Sequence, residues 1–377
     1  MIALAVRPGT ARGAAVALCA AAVDVALGAG LAPAIHIVAP MVVFLAAALT
    51  LAATIERAGV GERVADGLAA HARGSSFALY VYVCAVCGGL TVTVSLDGAV
   101  VLMVPILLAL RRRHGAPFSP LFLGTVVVAN ASSIAVPQGN PTNLLIIARL
   151  GLSPTAFLLH MFVPGMIATV LCAGCVAAGE RRRLAVGYEG RRAPRPARAP
   201  LSATELHAVL AFIGAALAGW VAPLLGVAPW WPFSAAVAVA LIAGRKRPAA
   251  IVPWQLGCQI AATLVVVQAL GTPDLGRLGS TLPGLLLVAA GAGTASALLN
   301  NLPVGASAVA LITAAPLGYA ASIGLAVGSL ATPQGSVATL LATELAGADA
   351  PTLRVRRFAP LAAAAVLAAT LTMWLTL

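Results

Sequence analysis

An all-α integral membrane fold, built as an inverted-repeat secondary transporter with about nine full spans, two re-entrant hairpins and two broken helices, is predicted by three observations. The chain is 61% hydrophobic and 9% charged, with a mean hydropathy of +1.00, whereas soluble domains are about half apolar and a quarter charged. The stretch NASSIAVPQGNPTNLL, Asn130 to Leu145, places Asn, Ser, Gln, Pro and Gly inside an otherwise apolar helix. A second copy, PQGSVATLL from Pro333 to Leu341, matches PQGNPTNLL from Pro137 to Leu145 in Pro, Gln, Gly and both leucines. Interrupted segments at corresponding places in two halves are the sequence sign of a repeat-built carrier.

The elements follow from length and charge. About 20 apolar residues cross a ~30 Å hydrocarbon core. Residues 14 to 31 and 34 to 55 satisfy that rule as two spans, and the polar stretch 56 to 74 reads as a surface helix or loop. Arg7 and Arg12 before an apolar run resemble a signal peptide, but no small-residue cleavage site leads into a soluble domain. The run is therefore read as an uncleaved first span with its N-terminus in the cytoplasm. Residues 77 to 94 and 98 to 110 are separated only by Ser95, Leu96 and Asp97, and the second is too short to span before Arg111, Arg112 and Arg113. With basic residues on both flanks, the positive-inside rule makes 77 to 110 a re-entrant hairpin with Asp97 near its tip. An ordinary helix pair is the alternative.

Residues 116 to 150 then form a broken helix and 155 to 178 a span that returns to an arginine- and proline-rich cytoplasmic linker at 180 to 200, read as disordered. Spans near 206 to 222 and 228 to 243 open the second half, Trp220, Trp230 and Trp231 marking the outer interface and Arg245, Lys246 and Arg247 the inner one. After a span at 254 to 271 comes a second split unit, 281 to 315, with Asn300 and Asn301 at its tip. A second broken helix at 317 to 347, interrupted at Ala331 to Ser336, precedes the last span, 358 to 377. The halves are thus 1 to 179 and 201 to 377. Of the 23 Lys and Arg, only Arg149 and Arg277 fall outside in this scheme, which orients the second hairpin opposite to the first. The expected home is a bacterial-type inner membrane.

Each half brings one tip and one break to mid-membrane. Polar backbone there must be packed in protein or line a wet cavity. The expected substrate-binding groups of the first break are Asn130, Ser132, Ser133, Gln138, Gly139, Asn140, Thr142 and Asn143. The second half adds Asn300 and Asn301 from its tip and Gln334, Gly335, Ser336 and Thr339 from its break. Broken helices aim half-helix N-termini at anions and spare carbonyls at cations. Asp97 is the one acid in these segments, and a carboxylate at such depth costs about 2.5–3.5 kcal/mol unless paired, hydrated or protonated. With Ser95 it is the expected coupling-ion carrier; the plainer role is to cap the hairpin. Asp24, His36 and His160 sit near span ends or in span one and read as scaffold.

Other classes are excluded by what is missing. The net charge of +12 lies in short clusters between apolar runs, not in a stripe with interleaved aromatics, which argues against nucleic acid. Cys84 with Cys87 and Cys172 with Cys175 form CxxC pairs inside apolar runs without further ligands at zinc spacing, so no metal is expected. No HExxH, GxSxG or complete GxGxxG occurs. No cofactor and no enzymatic activity are expected, and any ATP drive must come from a partner subunit. The expected partners are the lipid bilayer, a small anion or neutral oxyacid, and H+ or Na+. A homodimer is compatible with this reading.

The segments SLDGAVVLMVPILLALRRRHG, VANASSIAVPQGNPTNLL, SALLNNLPVGA and GSLATPQGSVATLL, in order between residues 95 and 341, resemble landmark segments of the ion-transporter superfamily. Within it they are most similar to the arsenical pump membrane proteins, the arsenite/antimonite efflux permeases. That resemblance implies an inverted-repeat carrier in which Asp97, Asn140, Thr142, Asn143, Asn300, Asn301, Ser336 and Thr339 hold substrate and coupling ion. This chain has Leu96-Asp97 where the family often has Asn-Asp, and PQG at both breaks. The function implied is export of a small oxyanion or its neutral acid by exchange with protons. The alternative is a sodium- or proton-coupled importer of inorganic or carboxylate anions such as sulfate, dicarboxylates or citrate, with the divalent-anion symporters as relatives; a Na+/H+ antiporter comes after it, and an intramembrane enzyme is a further class.

Overall fold

The computed structural model describes residues 32–57, 60–188, 203–227, 230–243 and 275–377, with scattered positions between 15 and 25 and between 254 and 265. The spans expected at 14 to 31 and 254 to 271, Asp24, the basic cluster at 245 to 247 and most of the 180 to 200 linker lie outside the described residues. Among those described the chain is helical, without strands. Five helices are long and apolar enough to cross a membrane: Ser76–Val94, Phe118–Ala135, Pro154–Gly179, Leu282–Leu299 and Val355–Leu375.

In the first half α1 (Ala32–Arg57) and α2 (Val60–Ala72) precede α3 (Ser76–Val94) and α4 (Leu96–His114). Ser75 starts α3 by accepting from the Ala78 amide, as N-cap serines do. The 56 to 74 stretch is thus a helix for most of its length, not a loop. Where α3 ends, α4 begins one residue later: Ser95 has φ 118° and ψ 165°, closes α3 through its N–H to Thr91 O, and caps α4 by accepting from Gly98 N at 3.3 Å. The expected short arm is longer than read. It runs 19 residues through Arg111–His114, about 28 Å at helical rise. The length rule stopped at the first arginine, whereas basic residues at a helix C-terminus are favourable partners of the dipole and continue the helix. Gly115, left-handed at φ 67°, ends it.

The broken helix is α5 (Phe118–Ser132), two single 3-10 turns at Ser133–Ala135 and Pro137–Gly139, then α6 (Pro141–Leu150). Asn130 and Ser132 remain helical, so the break is narrower than the polar stretch that announced it. Asn140 caps α6 through Oδ1 to Thr142 N, with Pro141 at the first helical position. The span α7 (Pro154–Gly179) leads to the short α8 (Arg181–Ala185).

The first residues of the expected disordered linker are ordered. Tyr188 is buried, its hydroxyl donates to Ala69 O and its N–H to Gly74 O, while Ser76 Oγ donates to Val186 O. An arginine-rich composition masked these anchors. Downstream, α9 (Ala203–Leu224) and α10 (Trp230–Ala243) pack together and on α1.

The last third repeats the order of elements. Helix α11 (Leu282–Leu299) meets α12 (Asn301–Leu311) at Asn300, with φ 101° and ψ 148°. Then α13 (Ala315–Val327), a 3-10 turn at Gly328–Ala331, and α14 (Val337–Ala346) form the second broken helix, and α15 (Val355–Leu375) closes the described chain. Helices α11 and α13 approach closely, and a Cβ on Gly293 would stand 3.0 Å from Gly328 Cα; close approach through small residues is how helices associate in lipid. The two units then interlock: α4 packs against α14, and α12 against α6. The second helix of each tip-joined pair therefore lies on the far limb of the other unit's broken helix.

Candidate functional site

The tips and breaks are built to the same local plan. Asn300 repeats Ser95, for its side chain also caps the next helix, Oδ1 accepting from Leu302 N at 3.2 Å. Non-glycine residues rarely hold such φ/ψ values, which cost of order 1–3 kcal/mol and persist where surroundings enforce them. In each break a serine hydroxyl bonds back three residues, Ser133 Oγ to Asn130 O and Ser329 Oγ to Ala326 O. A glutamine then ties each break to the helix that leads into its own tip, three residues before it: Gln138 Nε2 donates to Val92 O at 2.8 Å and Gln334 Nε2 to Ala297 O at 3.3 Å. A Cβ on Gly139 would strike Ser133 O, and one on Gly335 would strike Ser329 O. This is the physical reason for PQG at both places.

Amide side chains satisfy the opened backbone. Asn143 Nδ2 donates to Ser133 O at 2.8 Å and to Val136 O at 3.0 Å, filling the role of missing helix amides. Asn140 Nδ2 reaches Ser133 Oγ, and Ser132 Oγ donates to Val128 O. In the second unit Asn300 Nδ2 donates to Gln334 O at 2.7 Å, Asn301 N donates to Gly335 O at 2.8 Å, and Asn301 Oδ1 accepts from Val337 N. The helices flanking the two breaks also touch, Asn130 Nδ2 on α5 standing 3.5 Å from Thr339 Oγ1 on α14. Thr142 lies against Gly305 of α12, whose missing side chain makes the room.

Every residue expected in the site is buried except Gln334, which is exposed on its turn. Several polar atoms remain without a hydrogen-bond partner: Asp97 Oδ1, Asn130 Oδ1, Asn143 Oδ1, Thr142 Oγ1 and Ser336 Oγ. Buried polar atoms are nearly always satisfied in native proteins, so such a set makes these residues candidates for holding a ligand, an ion or water. Ser296, Ser322 and Thr125 carry further buried, unpartnered hydroxyls that sequence reading did not select. Ser296 sits one turn before Asn300, and hydroxyls in an apolar helix next to a tip were the signal that could have found it. His160 takes a scaffold position, its Nδ1 2.8 Å from Ala156 O and its ring stacked on Tyr319 at 5.2 Å.

Four helices begin at these tips and breaks: α4, α6, α12 and α14. A helix N-terminus carries roughly half a positive charge and spare N–H groups, which suits an anion without requiring a lysine or arginine. Among the expected site residues none is basic and Asp97 alone is acidic. The arrangement can therefore receive an anion on helix ends and a cation on carboxylate, amide and hydroxyl oxygens. A family model described as Citrate transporter matches residues 1–324, which include both tips and the first break. No curated protein matches the chain.

Proposed function

The chain belongs to the citrate transporter family of the ion-transporter superfamily, and from that premise we propose that it is a secondary carrier of citrate or a closely related carboxylate anion, coupled to protons or sodium. The observation that supports this reading is that four helices begin at the two tips and breaks, and that five buried polar groups in or beside them have no partner in the protein. Carboxylates of the substrate would lie on the helix ends of α6 and α14, with Thr142 and Ser336 hydroxyls donating to them. Asp97 carries the coupling cation. An opposed orientation of the two units, with the N-terminus in the cytoplasm, supplies alternating access from either side.

The first reading drawn from motif resemblance, arsenite efflux, becomes the second. One observation favours it: the expected lining has no lysine or arginine to hold a multivalent anion, which suits a neutral oxyacid. Uptake and efflux by the purified chain in proteoliposomes, with citrate, succinate, sulfate and arsenite and with or without a proton gradient, separates the two. Citrate or succinate flux that responds to the gradient supports the carboxylate reading. Arsenite flux without carboxylate flux overturns it.

A further inference from the structure

Away from the tips and breaks, three distant stretches bring arginines to one surface bowl. Arg111 lies in the last turn of α4, Arg181 to Arg183 open α8, and Arg354, Arg356 and Arg357 stand at the start of α15; together they line a cavity of about 1200 Å3. Two carboxylates answer them. Glu180, 7% exposed, pairs with Arg357 and with Arg183, and Asp349 pairs with Arg111 at 2.6 Å. Arg111 also lies 5.6 Å above the Phe118 ring. Among the described residues, Arg181, Arg182, Arg354 and Arg356 have no carboxylate partner, and Arg357 Nη2 is buried without one. The N-termini of α5 and α15 open into the same bowl, and neither has a side-chain cap.

We propose that this bowl binds the phosphate headgroup of an anionic phospholipid. Unpaired guanidiniums and uncapped helix N-termini are the two groups that recognise phosphate best. The bowl stands at one end of α7 and α15, which pack on each other and expose Leu159, Val163 and Val170, and Leu367 and Trp374, along their lengths. A headgroup held there has its acyl chains beside apolar side chains, as a lipid requires and a free anion does not. The bowl is no antechamber to the substrate site. From Phe118 to the break at Ser133 runs all of α5, about 22 Å of helix whose residues are buried almost without exception. Because Arg111 and Phe118 belong to the first half and α15 to the second, a lipid there bridges the halves beside the Glu180–Arg357 pair.

Native mass spectrometry of the full chain released from micelles containing phosphatidylglycerol and phosphatidylcholine tests the proposal. The unmodified chain retains phosphatidylglycerol, and Arg354→Gln/Arg356→Gln retains at least about tenfold less, since each basic residue contributes separately to anionic-lipid attraction. The charge-matched Arg73→Gln/Arg112→Gln, outside the bowl, retains as much as the unmodified chain. Equal retention by the Arg354/Arg356 variant, or equal loss in the control, overturns the site. Thermal unfolding distinguishes the source of the phosphate: phosphatidylglycerol raises the midpoint and inorganic phosphate at the same concentration does not. An equal rise with inorganic phosphate overturns the lipid assignment.

Discussion

In the proposed carrier, Asp97 is the residue on which coupling turns. Its Oδ1 is buried and has no partner in the protein, and on the proposed reading a proton or a bound cation neutralises the carboxylate as access alternates. Asp97→Asn keeps the shape and removes the exchangeable charge. The variant is expected to fold and insert normally, to lose gradient-driven accumulation of citrate, and to keep part of its citrate exchange; accumulation equal to that of the unmodified carrier would assign Asp97 a structural role. Asn300 bears a different burden, holding a left-handed backbone while capping α12 and bonding Gln334 O. Asn300→Gly loses the hydrogen bonds but relaxes the backbone, whereas Asn300→Ala loses them and retains the strain. Thermal stability should fall in the order unmodified, Gly variant, Ala variant, with the Ala variant about 1–3 kcal/mol below the unmodified chain. The position of Asp97, Asn143 and Asn300 at or beside the tips and breaks was legible in the sequence because polar residues stand out in apolar helices. The double capping by Ser95 and Asn300 was not, since nothing in their neighbours announces a positive φ.

At the scale of elements, the repeat of PQG announced both breaks, and the structure explains the glycine in each by the close approach of a serine carbonyl. Gly139→Ala and Gly335→Ala should each cost about 1–3 kcal/mol, because backbone rather than a mobile side chain must move. Denaturation monitored by tryptophan fluorescence measures this, and a neutral effect at both sites would contradict the tight packing of the breaks. What composition hid were element ends. Helix α4 continues through its arginines, and the linker's first residues are held by Tyr188 and α8. Charge density reports which residues prefer water; it does not report whether the backbone beneath them keeps its hydrogen bonds.

At the scale of the molecule, the reciprocal packing of α4 on α14 and α6 on α12 makes the proposed site a joint product of both halves. Hydropathy predicted two such halves, but their contact depends on side chains far apart in sequence, such as Asn130 with Thr339. The Glu180–Arg357 pair joins the halves at their rim; Glu180→Gln leaves Arg357 poorly compensated and should destabilise the chain by about 1–3 kcal/mol, intermediate between surface and buried pairs. Opposed hairpins predict that cysteines at positions 113 and 279, in a cysteine-free background, label from opposite sides of the membrane; labelling from one side rejects the opposed arrangement. The most direct test of a jointly built carboxylate site uses two of the hydroxyls that have no partner, one from each half. Thr142→Val and Ser336→Ala remove no hydrogen bond within the protein, so each should fold with stability unchanged or slightly raised. Citrate exchange in proteoliposomes measures what they do for the ligand. The account predicts that each variant alone weakens apparent citrate affinity about tenfold, the worth of one charge-assisted hydrogen bond, and unchanged citrate exchange in both would contradict it.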